Sequence, residues 1–170
     1  MKQFLTDYTE EELKYCISHA YDEKFDTEEI APLAKADGMY FLELADYCTR
    51  ENNDEREVLK LLYQSLRALT VKSIPRRLVR CIYEIRLIVA NGEFPGLPQG
   101  NFSKTALYAV EFIAGTPVEK LYTFTLKEGV LAELVQIAEK YRRDFLPGEF
   151  HTLETVSYTH LRAHETSAHL

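Results

Sequence analysis

The chain has 170 residues, of which 46% are hydrophobic, so it can build the core of one ordinary domain and little more. It lacks the roughly 18 consecutive apolar residues of a membrane span, and residues 1–7 lack the basic and apolar parts of a secretory signal, so we expect a cytoplasmic protein. The net charge of −7 lies in residues 1–44, where four lysines face eleven carboxylates. Residues 45–170 are neutral, so the acidic balance argues against nucleic-acid binding only if the chain acts as one unit.

Neither the cysteines nor the sequence motifs indicate a catalytic, metal-binding or cofactor-binding site. Cys16, Cys48 and Cys81 are too few and too widely spaced for a disulfide framework or a zinc site, so we expect reduced, buried thiols. The sequence contains no nucleophile triad, phosphate-binding loop or dinucleotide fingerprint, and nothing marks any pair of its carboxylates as catalytic. We therefore expect a protein that is not an enzyme and that holds no metal and no cofactor.

Three helices are predicted in the first half of the chain. The first begins at a capping box of Thr9 and Glu12, which an apolar stripe follows at helical spacing over residues 13–21. The second is predicted over residues 38–50. The third runs over residues 55–69 with a leucine-rich stripe, after a break at residues 52–54.

Three more helices are predicted in the second half. The fourth begins near Pro75 and ends at a left-handed cap at Gly92. After a connector rich in proline and glycine, Ser103 begins the fifth, which ends at Gly115. The sixth is predicted to open with a capping box of Thr125 and Glu128. No segment shows sustained alternation, so the sequence predicts an all-α, compact bundle of five to six helices with a flexible C-terminal tail.

The last residues of the chain differ in kind from the rest. Residues 157–170 hold three of the five histidines but no strong apolar stripe and no helix cap. His164 and Glu165 begin like the H-E-x-x-H zinc motif, but the next histidine, His169, comes one position too late to share a helix face with the first. We therefore predict an unstructured tail and no metal site.

One basic cluster is the candidate binding site, for DNA or for a partner protein. Its members lie before and along the fourth predicted helix: Lys72, Arg76, Arg77, Arg80 and Arg86. Such a helix can offer guanidinium groups to phosphates or to the carboxylates of an acidic partner. The same arginines can equally neutralise glutamates of neighbouring helices, and the sequence leaves both interpretations open.

Several stretches of the chain, in the expected order, resemble the C-terminal domain of the RecO family over residues 38–155. They are MYFLELADY (39–47), LKLLYQSLRAL (59–69), RLVRCIYEIR (77–86), NGEFPG (91–96), TPVEKLYTFT (116–125) and FHTLE (150–154). The resemblance implies a DNA repair and recombination mediator that binds DNA and works with RecR and single-strand-binding protein. Residues 1–37 do not resemble the family's OB-fold, so we expect weak DNA binding. The family's four-cysteine zinc site also has no counterpart here.

Residues 1–44 resemble a different family. The stretches FLTDYTEEEL (4–13), YDEKFDTEEIAPL (21–33) and YFLEL (40–44) are similar to the start of threonine synthase. That family's catalytic segments, including the lysine that holds pyridoxal phosphate, do not follow, so no such chemistry is expected. Because both resemblances share YFLEL, we hypothesise a chimeric chain joined there. The stretch VSYTHLRAHET (156–166) is similar to translated adapter or vector sequence.

These patterns predict three segments and leave three functions open. Residues 1–37 form a threonine-synthase-like fragment that we expect to dock poorly, residues 38–155 a RecO-like helical domain, and residues 156–170 a disordered foreign tail. The favoured function is a non-catalytic recombination mediator. The alternatives are a threonine synthase fragment without its catalytic lysine, or a helical protein-interaction module that does not bind DNA.

Overall fold

The central helix of the fold is the fourth predicted one, because most of its residues, including Arg80 and Glu84, are buried. The computed structural model describes residues 30–50 and 53–152. Within them lie α1 (Ile30–Cys48), α2 (Arg56–Leu69), α3 (Arg76–Ala90), α4 (Lys104–Gly115), a 3-10 turn (Val118–Lys120) and α5 (Glu128–Phe145). Ten of the 15 residues of α3 are buried, and this helix contacts all four others. The described residues contain no strand, and the all-α prediction is confirmed.

Local signals place most helix ends where they were predicted. α2 begins within one residue of the predicted start and ends at the predicted Leu69. Gly92 takes a φ of 76°, the left-handed conformation that ends a helix at little cost for glycine. Ser103 caps α4, because its hydroxyl accepts a hydrogen bond from the amide of Ala106 at 3.2 Å.

The start of α1 differs from the prediction. The helix begins at Ile30, with Pro32 in its first turn, and runs without a break through Gly38. Ala34 and Asp37 are each 1% exposed. Tertiary packing therefore holds a glycine inside the helix that local propensity would disfavour by about 1 kcal/mol. The predicted domain boundary between residues 37 and 38 falls within this helix. The YFLEL segment (40–44), which both family resemblances share, lies in the same helix.

The predicted capping box of α5 is wrong. Lys127 occupies the cap position and makes no side-chain hydrogen bond to the helix, and Glu128 is the first helical residue instead of the third. From there Glu128 cannot reach back to a capping threonine. Its carboxylate pairs with Arg77 of α3 at 2.6 Å, so a contact between helices takes the place of the local motif.

Residues 146–152 fold back over α1. The ring of Phe150 packs edge-on against Tyr40 and Tyr47, with centroids 6.0 and 5.5 Å away. The carboxylate of Glu43 accepts hydrogen bonds from the amide and the hydroxyl of Thr152, at 3.1 and 2.8 Å. Residues 150–152, the described part of the stretch that resembles the RecO family near residue 150, thus belong to the packed body.

Several predictions fall on residues that the structure does not describe: the helix at residues 13–21, the docking of residues 1–29, Cys16 and the tail at residues 156–170. Of the other two cysteines, Cys81 is buried and Cys48 half-buried, and both are free thiols. Burial raises the pKa of Cys48 to about 11, which keeps this thiol protonated and unreactive. None of the described helices is long and apolar enough to cross a membrane.

Candidate functional site

Arg80, which the sequence placed in the candidate binding site, is part of the core. Its side chain is 10% exposed, and its Nε donates to the Glu84 carboxylate at 3.0 Å. The hydroxyl of Tyr40 donates to the same carboxylate oxygen at 2.7 Å, and the Arg80 guanidinium lies 5.1 Å from the centre of the Tyr40 ring. Burial and then the neighbouring Glu84 carboxylate raise the pKa of Tyr40 well above its usual range, so its hydroxyl stays a donor. Arg80 thus joins α1 and α3.

Three other arginines of the cluster also contact neighbouring helices. Arg76 pairs with the buried Asp37 of α1 at 3.0 Å, and Arg77 pairs with Glu128 of α5. Arg86 donates to the carbonyl of Ala114, near the end of α4, where that carbonyl lacks a helical partner. These contacts favour the interpretation in which the arginines neutralise neighbouring helices. That they also bind DNA stays a prediction.

The fifth member of the cluster, Lys72, stands apart from the arginines. It lies in the loop of residues 70–75 that joins α2 to α3, and it is exposed. The structure therefore does not gather the five residues on one cationic face. It places Lys72 beside a groove whose other residues the cluster did not include.

The groove lies between the C-terminal end of α2, the α2–α3 loop and the segment that leads into α5, and its volume is about 650 Å³. Its apolar lining, called the floor below, comes from Ala68, Val71, Ile74 and Phe124, and threonine and serine side chains complete the lining. The complete lining is Gln64, Arg67, Ala68, Thr70, Val71, Ser73, Ile74, Glu119, Tyr122, Thr123, Phe124 and Thr125.

The groove has a cationic rim. The guanidinium of Arg67 lies 5.7 Å from the centre of the exposed Tyr63 ring, and within the described part of the chain no carboxylate pairs with it. The one carboxylate in the lining, Glu119, lies 3.9 Å from the ammonium of Lys60. Arg67 is thus the cation of the groove lining, and the exposed Lys72 adds a second positive charge in the adjoining loop, between the lining residues Val71 and Ser73.

A hydrogen bond between the half-buried Tyr122 and the buried Ser65 holds the groove wall against α2. The Ser65 hydroxyl donates to the carbonyl of Leu61 at 2.6 Å, so the Tyr122 hydroxyl is the donor in its contact with Ser65. Burial raises the pKa of Tyr122 above its usual range, although the contact with Ser65 lowers it. The neighbouring Phe124 packs edge-on against Phe112 of α4, with the ring centres 5.1 Å apart.

We expect Tyr122→Phe to lower the free energy of unfolding by about 1 kcal/mol, because it removes one hydrogen bond while Ser65 keeps its bond to Leu61. Urea denaturation measures the change. Tyr108→Phe, at an exposed tyrosine, is the control and should leave stability unchanged. Equal stability of the two variants would show that the Tyr122 hydroxyl does not hold the wall.

A second, more polar cleft of about 940 Å³ lies at the other end of α3, lined by residues such as Asn53, Glu93 and Asp144. Its carboxylates face solvent, and Glu55 accepts a hydrogen bond from the amide of Arg50 at 3.2 Å. No group of three or more histidine, cysteine, aspartate or glutamate side chains in residues 30–50 and 53–152 could hold a metal ion. In the cleft, Arg50 is the one basic residue of the lining and stands among four carboxylates, so an acidic partner would meet repulsion there.

Sequence reasoning missed the groove because its parts come from segments up to about 60 residues apart. Two signals pointed to it. Val71 and Ile74 are apolar residues in the loop after α2, and Tyr63 and Arg67 lie four residues apart on one face of that helix. The TPVEKLYTFT stretch, noted for its family resemblance, supplies the opposite wall.

Comparison with known proteins gives one result. Neither the curated proteins nor the solved structures contain a significant match to this chain. Residues 35–100, which include α1 from its second turn, α2, α3 and the α2–α3 loop beside the groove, match a family model. That model describes the recombination protein O C terminal, so this part of the chain is similar to the C-terminal domain of recombination protein O, RecO.

Proposed function

We propose that the chain is a non-catalytic module of DNA recombination and repair, and that its groove binds the acidic C-terminal tail of single-strand-binding protein. The observation that carries the proposal is the groove itself, in which Arg67 lies beside the apolar residues Val71, Ile74 and Phe124. Lys72 is exposed in the adjoining loop. The family match to residues 35–100 supports the cellular role. The RecO resemblance implies the partner.

The chemistry of the groove suits an acidic peptide with an apolar end. The planar guanidinium of Arg67 can hold a carboxylate through two hydrogen bonds, and an apolar terminal side chain can leave water against the floor. Charges at the rim raise the rate of encounter with an acidic partner more than they raise affinity. Salt should therefore weaken binding of the peptide, because it screens the charges at the rim. Part of the affinity should persist at high salt, because the apolar contact is not screened.

DNA binding receives less support from the contacts. Arg76, Arg77 and Arg80 are already paired with carboxylates of the fold, so a phosphate would have to compete with those pairs. Near the groove, Lys72 and Arg67 are exposed basic residues for which residues 30–50 and 53–152 show no carboxylate partner, so a nucleic acid could use them. DNA and RecR, the other partners that the resemblance implies, are therefore measured beside the peptide.

We expect Arg67→Glu to weaken binding of a fluorescent acidic tail peptide at least tenfold, because the change replaces an attractive charge by a repulsive one at the rim. Fluorescence anisotropy with the full chain measures the effect. Arg143→Glu is the matched control, since Arg143 is exposed in the last turn of α5 and does not line the groove. It should leave binding unchanged.

Two outcomes would overturn the proposal. Equal losses in the Arg67→Glu and Arg143→Glu variants would mean that only net charge matters. Absence of peptide binding, together with a salt-sensitive DNA shift that Lys72→Glu reduces, would assign the cationic rim to nucleic acid instead.

A further inference from the structure

We infer that the surface used by the acidic partner does not end at the groove, and that it continues over an aromatic strip on α4 formed by Phe124, Phe112 and Tyr108. The inference rests on the proposed function, because it concerns the part of the same peptide that precedes its terminal residues. It adds a second contact region and a minimum length for the ligand.

The three rings form a path away from the groove. Phe124 lines the groove and packs edge-on against Phe112, with 5.1 Å between the ring centres. Tyr108 lies one turn before Phe112 in α4, which places the two side chains on the same helix face, about 5–6 Å apart at Cβ. The Phe124–Phe112 contact and one turn of α4 thus lead from the groove to Tyr108.

Tyr108 is the most exposed large hydrophobic residue of the described chain, at 66%. Half-buried Phe112 follows one turn later in the same helix and contacts half-buried Phe124, so the exposed ring extends an apolar strip. Tyrosines of this kind dominate binding energy at protein interfaces, because they bury a large area with few rotatable bonds and keep a polar end for water.

The charge and the length of the strip favour an extended acidic segment as its occupant. Lys104 is exposed one turn before Tyr108, and within the described residues no carboxylate pairs with it, so cations stand at both ends of the path. Glu111 lies on the same helix and is also exposed, which makes the middle of the path less favourable for acidic side chains. The path from Phe124 to Tyr108 spans roughly 11 Å, which about four extended residues cover.

The test compares two tail peptides of single-strand-binding protein on the full chain, one of about four terminal residues and one of about nine. We expect the longer peptide to bind more tightly, and Tyr108→Ala to weaken it about fivefold while leaving the shorter one unchanged. Leu97→Ala is the matched control, because Leu97 is an exposed apolar side chain in the connector after α3. It should change neither affinity.

The possible failures are distinguishable. If both peptides bind equally, and Arg67→Glu weakens both while Tyr108→Ala weakens neither, the groove stands and the extension is overturned. If neither peptide binds, the extension and the proposed function fall together. If Tyr108→Ala instead shifts a concentration-dependent sedimentation coefficient, the strip is a contact between two copies of the chain, which also overturns the extension.

Discussion

An Arg80→Ala variant is expected to lose about 3–5 kcal/mol of its free energy of unfolding. The Glu84 side chain is 1% exposed and depends on Arg80 and Tyr40 for its hydrogen bonds. Removing the guanidinium would leave a buried carboxylate with one neutral donor, and a charge buried in that way is strongly destabilising. Urea denaturation followed by circular dichroism gives the difference.

Two controls show whether the loss comes from the charge. Arg143→Ala, at an exposed arginine of α5, should change stability by less than about 0.5 kcal/mol. The double variant Arg80→Met with Glu84→Gln removes both charges and keeps an acceptor for Tyr40, so it should recover most of the loss. An Arg80→Ala protein within 1 kcal/mol of the parent would contradict the placement of Arg80 in the core.

The second large effect is expected at Phe41. Its side chain is fully buried in α1 and stacks on Tyr83 of α3, with 4.2 Å between the ring centres, while the Tyr83 hydroxyl donates to the carbonyl of Phe41 at 2.8 Å. Phe41→Ala removes the stacked ring and leaves a cavity between α1 and α3, which should cost about 3–5 kcal/mol.

The neighbouring Met39 supplies the comparison. It lies in the same helix but is 47% exposed, so Met39→Ala should cost less than about 1 kcal/mol. Differential scanning calorimetry of the two variants measures the contrast. Similar losses in both would mean that α1 does not pack through Phe41, and would remove the support for α1 as an integral part of the bundle.

The sequence predicted best those features that depend on interactions between residues close together in the chain. The leucine stripe of α2, the serine cap of α4 and the left-handed Gly92 depend on neighbours in the chain, and all three were predicted. The start of α1 depends on distant contacts. Asp37 is held by Arg76, 39 residues away, and no local pattern reveals that pair.

The candidate site shows the same division. The sequence showed that Arg80 and Glu84 lie one turn apart, but not that Tyr40 would close the cluster from another helix. Arg77 pairs with Glu128, which is 51 residues away in sequence. Glu128 was predicted to cap its own helix, but its carboxylate binds α3 instead. The groove was invisible for the same reason, since its walls meet only when the α2–α3 loop and residues 119–125 come together.

The continuity of α1 bears on the hypothesis of a chimeric chain. One helix carries the end of the segment that resembles threonine synthase and the start of the segment that matches RecO, and Ala34, Asp37 and Phe41 are all buried along it. If the chain is a chimera joined at YFLEL, the segment before the junction and the segment after it are therefore both able to form parts of the same helix. Resequencing the source locus tests the hypothesis, because one continuous, expressed reading frame would remove it.

The most direct test of the proposed docking site is a titration of the ¹⁵N-labelled chain with the acidic tail peptide, followed by amide chemical shifts. We predict saturable shifts concentrated at residues 64–74 and 119–125, around Arg67 and Phe124, with little change near Asn53 and Asp144 at the other end of the bundle. Shifts centred on that other end, or no saturable shift at peptide concentrations up to about 1 mM, a limit corresponding to roughly −4 kcal/mol of binding free energy, would contradict it.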